Sequence, residues 1–152
     1  LREVIAAAEL LAQDWQIDSE IWSVTSFTEL ARESREVERW NRLHPRHEQR
    51  VSHLDACLPK GLPVIAASDY VRALPQLIGS YVTSDYTVLG TDGFGRSDTR
   101  AHLRGFFEVD RYHIVLAAMT ALVGEGTLAT DVAAQVIEKY GIEADSEASW
   151  TC

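Results

Sequence analysis

The most distinctive chemistry in the chain sits in one stretch, Gly90-Thr91-Asp92-Gly93-Phe94-Gly95-Arg96-Ser97-Asp98. Three glycines let its backbone take positive φ and approach a ligand closely. Arg96, flanked by Asp92 and Asp98, can hold a carboxylate or pair with its own neighbours. The stretch is not GxGxxG, and the chain contains no GxxxxGK[ST], so neither standard nucleotide cradle is present. A binding loop and an ordinary turn both fit these residues.

The five histidines are His44, His47, His53, His102 and His113. Pro45 separates His44 from His47, so the two do not share a helical face, and no Cys or carboxylate joins them at metal-ligand spacing. His53 and Cys57 form an i,i+4 pair only if that stretch is helical, which Pro59 opposes. There is no GxSxG elbow and no HExxH. By itself the chain shows no self-contained catalytic centre. Its two cysteines, Cys57 and Cys152, read as free thiols of a reducing cytoplasm rather than a disulfide framework.

Elements must position these groups. Val4, Ile5, Ala8, Leu11, Ala12 and Trp15 recur at helical spacing and predict an amphipathic helix over 2–14. The β-branched and aromatic residues of 20–25 predict a buried strand. Ser26 with Glu29 has the form of a capping box and opens a helix that must stop before Pro45. Residues 41–62 read as irregular, punctuated by Pro45, Pro59 and Gly61. Residues 63–67 predict a strand buried on both faces, and 86–89 a third strand. Between them, Ser68 and Asp69 can cap a helix carrying Val71, Leu74, Leu77, Ile78 and Tyr81, kinked at Pro75. Asp98 caps a helix bearing Leu103, Phe106 and Phe107; Asp110 opens the next. A last helix covers 131–140, with Gly141 at its C′ position. Strands alternating with helices predict an α/β fold with a mostly parallel sheet flanked by helices. The loop 90–98 follows a strand, where such sheets place their binding crevices.

At 152 residues the chain is one domain in size, and 14 cations against 23 acids give a net charge of −9. That balance argues against a nucleic-acid backbone as partner. No apolar run approaches the ~20 residues of a membrane span. Position 1 is Leu rather than Met, as expected of a processed product or a fragment.

Several segments, taken in order, are more specific than composition. They are Leu1-Arg2-Glu3-Val4-Ile5, Ala7-Ala8-Glu9-Leu10-Leu11-Ala12, and Ile21-Trp22-Ser23-Val24-Thr25-Ser26-Phe27-Thr28-Glu29-Leu30. Glu38-Arg39-Trp40-Asn41-Arg42-Leu43-His44-Pro45, Ser68-Asp69-Tyr70, Leu89 with the 90–98 loop, and Phe107-Glu108-Val109-Asp110 follow. Together, over about residues 1–145, the chain resembles the C-terminal domain of the homodimeric, bacterial-type pyruvate dehydrogenases. These are transketolase-like enzymes and the decarboxylating component of their complex. The tail 146–152 matches nothing in that pattern, is polar apart from Trp150, and is expected to fray.

The resemblance implies a three-layer α/β domain with a five-stranded mixed sheet whose first strand would precede Leu1. It implies thiamine diphosphate and magnesium, bound between other domains of two subunits, with an electron-sink thiazolium that decarboxylates pyruvate. The two-carbon unit then passes to a lipoyl group of the dihydrolipoyl acyltransferase. The implied partners are the rest of its own subunit, a second subunit of a homodimer and that acyltransferase, all cytoplasmic. Nucleic acid and membrane are not among them. The family's cofactor fingerprint, GDG followed by Asn, is missing: Asn41 is the chain's only asparagine and precedes its one Asp-Gly pair. No catalytic, cofactor-binding or metal residue is therefore expected here, and the domain alone should be inactive. Thr91, Asp92, Gly93, Phe94, Gly95, Arg96, Ser97 and Asp98 are the candidate loop at the mouth of a substrate channel, with Arg96 available to an anionic substrate or to lipoyl-domain carboxylates. A rigid turn that only shapes the domain is the competing reading. The same architecture could also serve another short 2-oxo acid, or a non-catalytic module for dimer contacts or partner docking.

Overall fold

The computed structural model describes residues 1–58 and 60–151. Pro59, counted above as a loop breaker, and Cys152, the second thiol, lie outside the described residues. In chain order the elements are α1 (Arg2–Trp15), α2 (Phe27–Leu43), α3 (His53–Cys57), β1 (Val64–Ala67), α4 (Ala73–Gln76), β2 (Tyr86–Leu89), α5 (Arg100–Phe106), α6 (Arg111–Gly124) and α7 (Val132–Tyr140).

β1 and β2 pair in parallel, Val64 opposite Tyr86 through Ala67 opposite Leu89. Alternate strand side chains point to opposite faces, so each face needs its own cover. On one face Ile65, Ala67 and Leu89 pack against a core of Ala7, Leu11, Ile114, Val115, Met119 and Val136, drawn from α1, α6 and α7. On the other, Tyr86 joins Ala31, Leu54 and Ile78 from the α2–α4 side. This is the predicted three-layer α/β arrangement. α6 is apolar around its circumference, as a helix at the centre of a core must be, and it touches α1, α7 and both strands.

The caps explain most boundaries. Ser26 accepts the Glu29 N–H at 3.2 Å, as the capping box predicts. Asp110 accepts the N–H groups of Tyr112 and His113, both at 3.0 Å. α7 ends on Gly141 at φ 63°, a left-handed conformation that glycine adopts without Cβ strain. α5 is capped by Thr99, which accepts the His102 N–H, and not by Asp98; the Asp98 carboxylate takes the Thr99 N–H instead.

Other expectations are corrected. Residues 20–25 form no strand: Ile21, Trp22 and Val24 stay substantially exposed. β propensity needs a neighbouring ladder, and the one ladder among the described residues is β1–β2. The stretch 41–62, read as irregular, contains α3, whose N-cap Ser52 accepts the Asp55 N–H. The long helix after Asp69 shrinks to the single turn of α4. Pro75 sits in that first turn, where its missing N–H costs nothing. Beyond it Leu77, Ile78 and Gly79 bond three residues back, a tight winding that does not propagate. Two of the implied five strands are formed among the described residues.

The described part of the tail, 146–151, touches the domain. Ser149 is buried, and its hydroxyl donates to the Asp92 carbonyl at 2.8 Å.

Candidate functional site

The 90–98 loop leaves the C-terminal end of β2 and is fastened at three points. The Thr91 N–H donates to the Tyr70 carbonyl at 3.0 Å. The Asp92 carboxylate accepts the Arg72 N–H at 2.9 Å. Ser149 of the tail holds the Asp92 carbonyl from the far side. Gly93 takes φ +127°, and a Cβ there would collide with the backbone carbonyl of Ser149. Only glycine fits that junction, so the spacing seen in the sequence has a steric cause. Arg72 also lies over the ring of Trp150, 6.0 Å from its centroid.

Past Gly93 the loop opens toward solvent. Phe94 is 78% exposed. The Arg96 guanidinium stacks over the Phe106 ring at 4.5 Å. Neither neighbouring acid pairs with it: Asp92 is bound to Arg72, and Asp98 is bound to the Thr99 N–H at 2.6 Å and to His102 Nδ1 at 3.1 Å. The backbone N–H of Thr99, then the hydrogen bond from His102, hold the Asp98 carboxyl below the usual carboxylate range.

Loop and α5 together enclose an open cavity of about 570 Å³. Arg96, Arg100 and Arg104 line it from one side, with Asp69 the single acid in its lining. Phe94, Leu103, Phe107 and Val109 supply its apolar surface. Arg104 is committed elsewhere, to Glu3 at 3.0 Å and Asp69 at 3.4 Å. Glu3, in the first turn of α1, also takes the Arg111 Nε at 3.0 Å. The Arg111 hydrogen bond, against the opposing effect of burial, holds the Glu3 carboxyl below its usual range.

The sequence had placed Thr91 through Asp98 in one loop, and the structure keeps Thr91, Gly93, Phe94, Gly95 and Arg96 at the cavity. Asp92 and Asp98 serve as fasteners, and Ser97 is exposed. Sequence reasoning missed Arg100 and Arg104. A partial signal was available: Arg100 and Arg104 stand four apart on the helix expected after Asp98, while Arg96 precedes it in the loop. The tail contact had no signal at all.

Other candidates resolve as structure. With α3 helical, Cys57 Sγ does approach His53 Nε2, at 3.4 Å, but among the described residues no third group completes a nucleophile or metal site. His44 stacks on Trp40 with centroids 4.4 Å apart, and Arg50 covers the same ring at 4.0 Å. His113 closes the cap of α6 through Asp110, at 2.8 Å. Burial pushes the Asp110 carboxyl up, but the His113 side-chain and backbone hydrogen bonds outweigh it and hold it low.

The family model for the transketolase-like TK C-terminal domain matches residues 1–110, from α1 through the loop and α5 to the cap of α6. The chain belongs to this transketolase-like C-terminal domain family. Among curated relatives, the pyruvate dehydrogenase E1 component of Cupriavidus necator is 54% identical over 143 residues, 93% of this chain. Those of Pseudomonas aeruginosa and Escherichia coli are 49% and 47% identical, over 100% and 95% of the chain. The transketolase-like domain spans 16–18% of the length of these relatives. Among the described residues of this domain, no helix is long and apolar enough to cross a membrane.

Proposed function

We propose that the chain is the C-terminal domain of a pyruvate dehydrogenase subunit, residues 1–145 forming the domain and 146–152 its tail. The subunit would decarboxylate pyruvate with thiamine diphosphate and transfer the acetyl unit to lipoyl groups of its acyltransferase partner. One observation carries this reading: about half of all residues are identical to E1 components along 93–100% of the chain. The loop 90–98 is assigned to the mouth of the substrate channel, with Arg96 presenting a cation to an entering anion.

Thiamine diphosphate would act as the electron sink for the departing carboxylate. The residues in hand do not fit it. No three of His, Cys, Asp or Glu gather to hold a metal ion among the described residues, and the cavity lining offers a single carboxylate. Magnesium needs an octahedral set of oxygens. No step through the cofactor is assigned to these residues, whose contribution is to shape and charge the approach.

The test is a substrate panel on the full-length subunit loaded with thiamine diphosphate and magnesium. Pyruvate should give the highest kcat/KM among short 2-oxo acids, and Arg96→Ala should lower it. Preference for another 2-oxo acid would transfer the reading to that substrate. No decarboxylation of any of them would leave only a dimerisation or docking module.

A further inference from the structure

The cavity beside α5 gathers positive charge. In a chain of net charge −9, its lining carries three arginines against one aspartate. Arg104 is neutralised by Glu3 and Asp69, but the other two are not. Arg100 makes no ion pair or side-chain hydrogen bond among the described residues. Arg96 uses the face of its guanidinium on Phe106, which leaves the in-plane N–H donors free. Two guanidiniums without an ion-pair contact among the described residues, Arg96 with Asp98 acting on it only through space, therefore line one concavity, an arrangement suited to a carboxylate or phosphate.

Size and wall chemistry say more. The cavity's volume, about 570 Å³, lies within the roughly 300–1,000 Å³ typical of small-molecule sites. Leu103, Phe107 and Val109 give the wall an apolar stretch beside Thr91 and the loop glycines, with Phe94 standing exposed at the rim. Apolar walls with a few convergent polar groups are what small-molecule sites share. At its edge Gly93 lies close against the Ser149 backbone, and the Ser149 hydroxyl donates to the neighbouring Asp92 carbonyl.

We infer that this cavity is a binding site for a small organic anion, a phosphate or carboxylate head held by Arg96 and Arg100 with an apolar body against Leu103, Phe107 and Phe94. The inference rests on the same loop and the same Arg96 that the proposed function turns toward an anion, and adds Arg100 and the apolar wall; it is tested by binding, apart from turnover. Titrations of the full-length subunit with inorganic phosphate, phenyl phosphate and benzoate, at constant ionic strength in chloride, measure the head and the body separately. Phenyl phosphate should bind at least threefold more tightly than phosphate. Benzoate against phenyl phosphate shows which head is preferred. The double variant R96Q/R100Q should weaken both ring-bearing probes at least tenfold, and R96K/R100K should recover part of the loss. Equal affinity of wild type and R96Q/R100Q overturns the site, as does phosphate binding as well as phenyl phosphate. Failure of every probe, with R96Q/R100Q instead weakening capture of the acyltransferase partner, overturns it in favour of a protein-docking face. Binding that survives in a subunit without pyruvate activity would refute the enzyme reading and leave this one standing.

Discussion

Glu3 ties three elements together, and its removal is the sharpest test of how the arginines are organised. Its side chain is 13% exposed and receives Arg104 from α5 and Arg111 from the start of α6. It also accepts the Arg111 N–H at 3.3 Å. Hydrogen bonds to charged groups contribute about 1.5–3 kcal/mol each. Arg111 is 40% exposed, so solvent screening reduces its share, whereas Arg104 at 18% keeps most of its own. Glu3→Gln keeps the shape, retains one acceptor and leaves the partly buried Arg104 with only the exposed Asp69 as counter-ion. The net cost should be about 2 kcal/mol in the local stability of α1, since each 1.4 kcal/mol is tenfold in an equilibrium constant. Amide exchange across Val4–Leu11, followed by mass spectrometry, should then accelerate about 30-fold at pH 7 while α2 is unchanged. The sign with pH is fixed. A carboxyl whose folded pKa is lowered stabilises fully above its ordinary value, and loses that stabilisation as pH falls through the folded value. The variant-to-wild-type exchange ratio should therefore hold above about pH 5 and shrink toward one in more acid solution. An unchanged rate at neutral pH, or a ratio constant down to pH 3, would refute the account.

Three further outcomes are expected. Met119→Ala empties a site that is 1% exposed and should cost 2–5 kcal/mol, read as a lowered Tm. Gly93→Ala forces a Cβ into the Ser149 carbonyl at φ +127°; exchange should rise both in 91–95 and in 148–151, and a rise confined to the loop would discount the tail contact. Tyr86 donates its hydroxyl to the Pro75 carbonyl at 2.9 Å, and burial pushes its pKa up to about 12. Stability should fall as pH rises from the ordinary tyrosine value near ~10 toward 12, because the unfolded chain ionises first. Tyr86→Phe should cost about 1 kcal/mol near neutrality and lose that alkaline component, both visible in denaturant titrations.

The layers were legible because period and capping are local. Ser26, Asp110 and Gly141 mark helix ends through bonds made within a few residues, and α1, β1, β2 and α7 stand where their patterns put them. Residues 20–25 misled because strand propensity measures fit to a pleated surface, which this stretch does not meet here. The helix around Pro75 misled because an apolar stripe was read past a residue that lets a first turn form and discourages the next. At the candidate site the glycines and Arg96 were visible as a run. The cavity was not, since it depends on Arg100 and Arg104 turning toward the loop. The clamp of Ser149 on Asp92 spans 57 residues of sequence and leaves no periodic trace.

The docking of α1 also sets a schedule. Trp15 donates its indole N–H to the Tyr140 hydroxyl, a partner 125 residues later in the chain, and Ala7 and Leu11 are covered by α6. On a ribosome moving at about 5–20 residues per second, that partner emerges roughly 6–25 seconds after α1. Until α6 emerges, α1 can coil but cannot bury its stripe, while the nearby pairing of β1 with β2 is already possible. The first helix of the domain is thus among the last to settle, and its apolar face is the natural target of holding chaperones during synthesis.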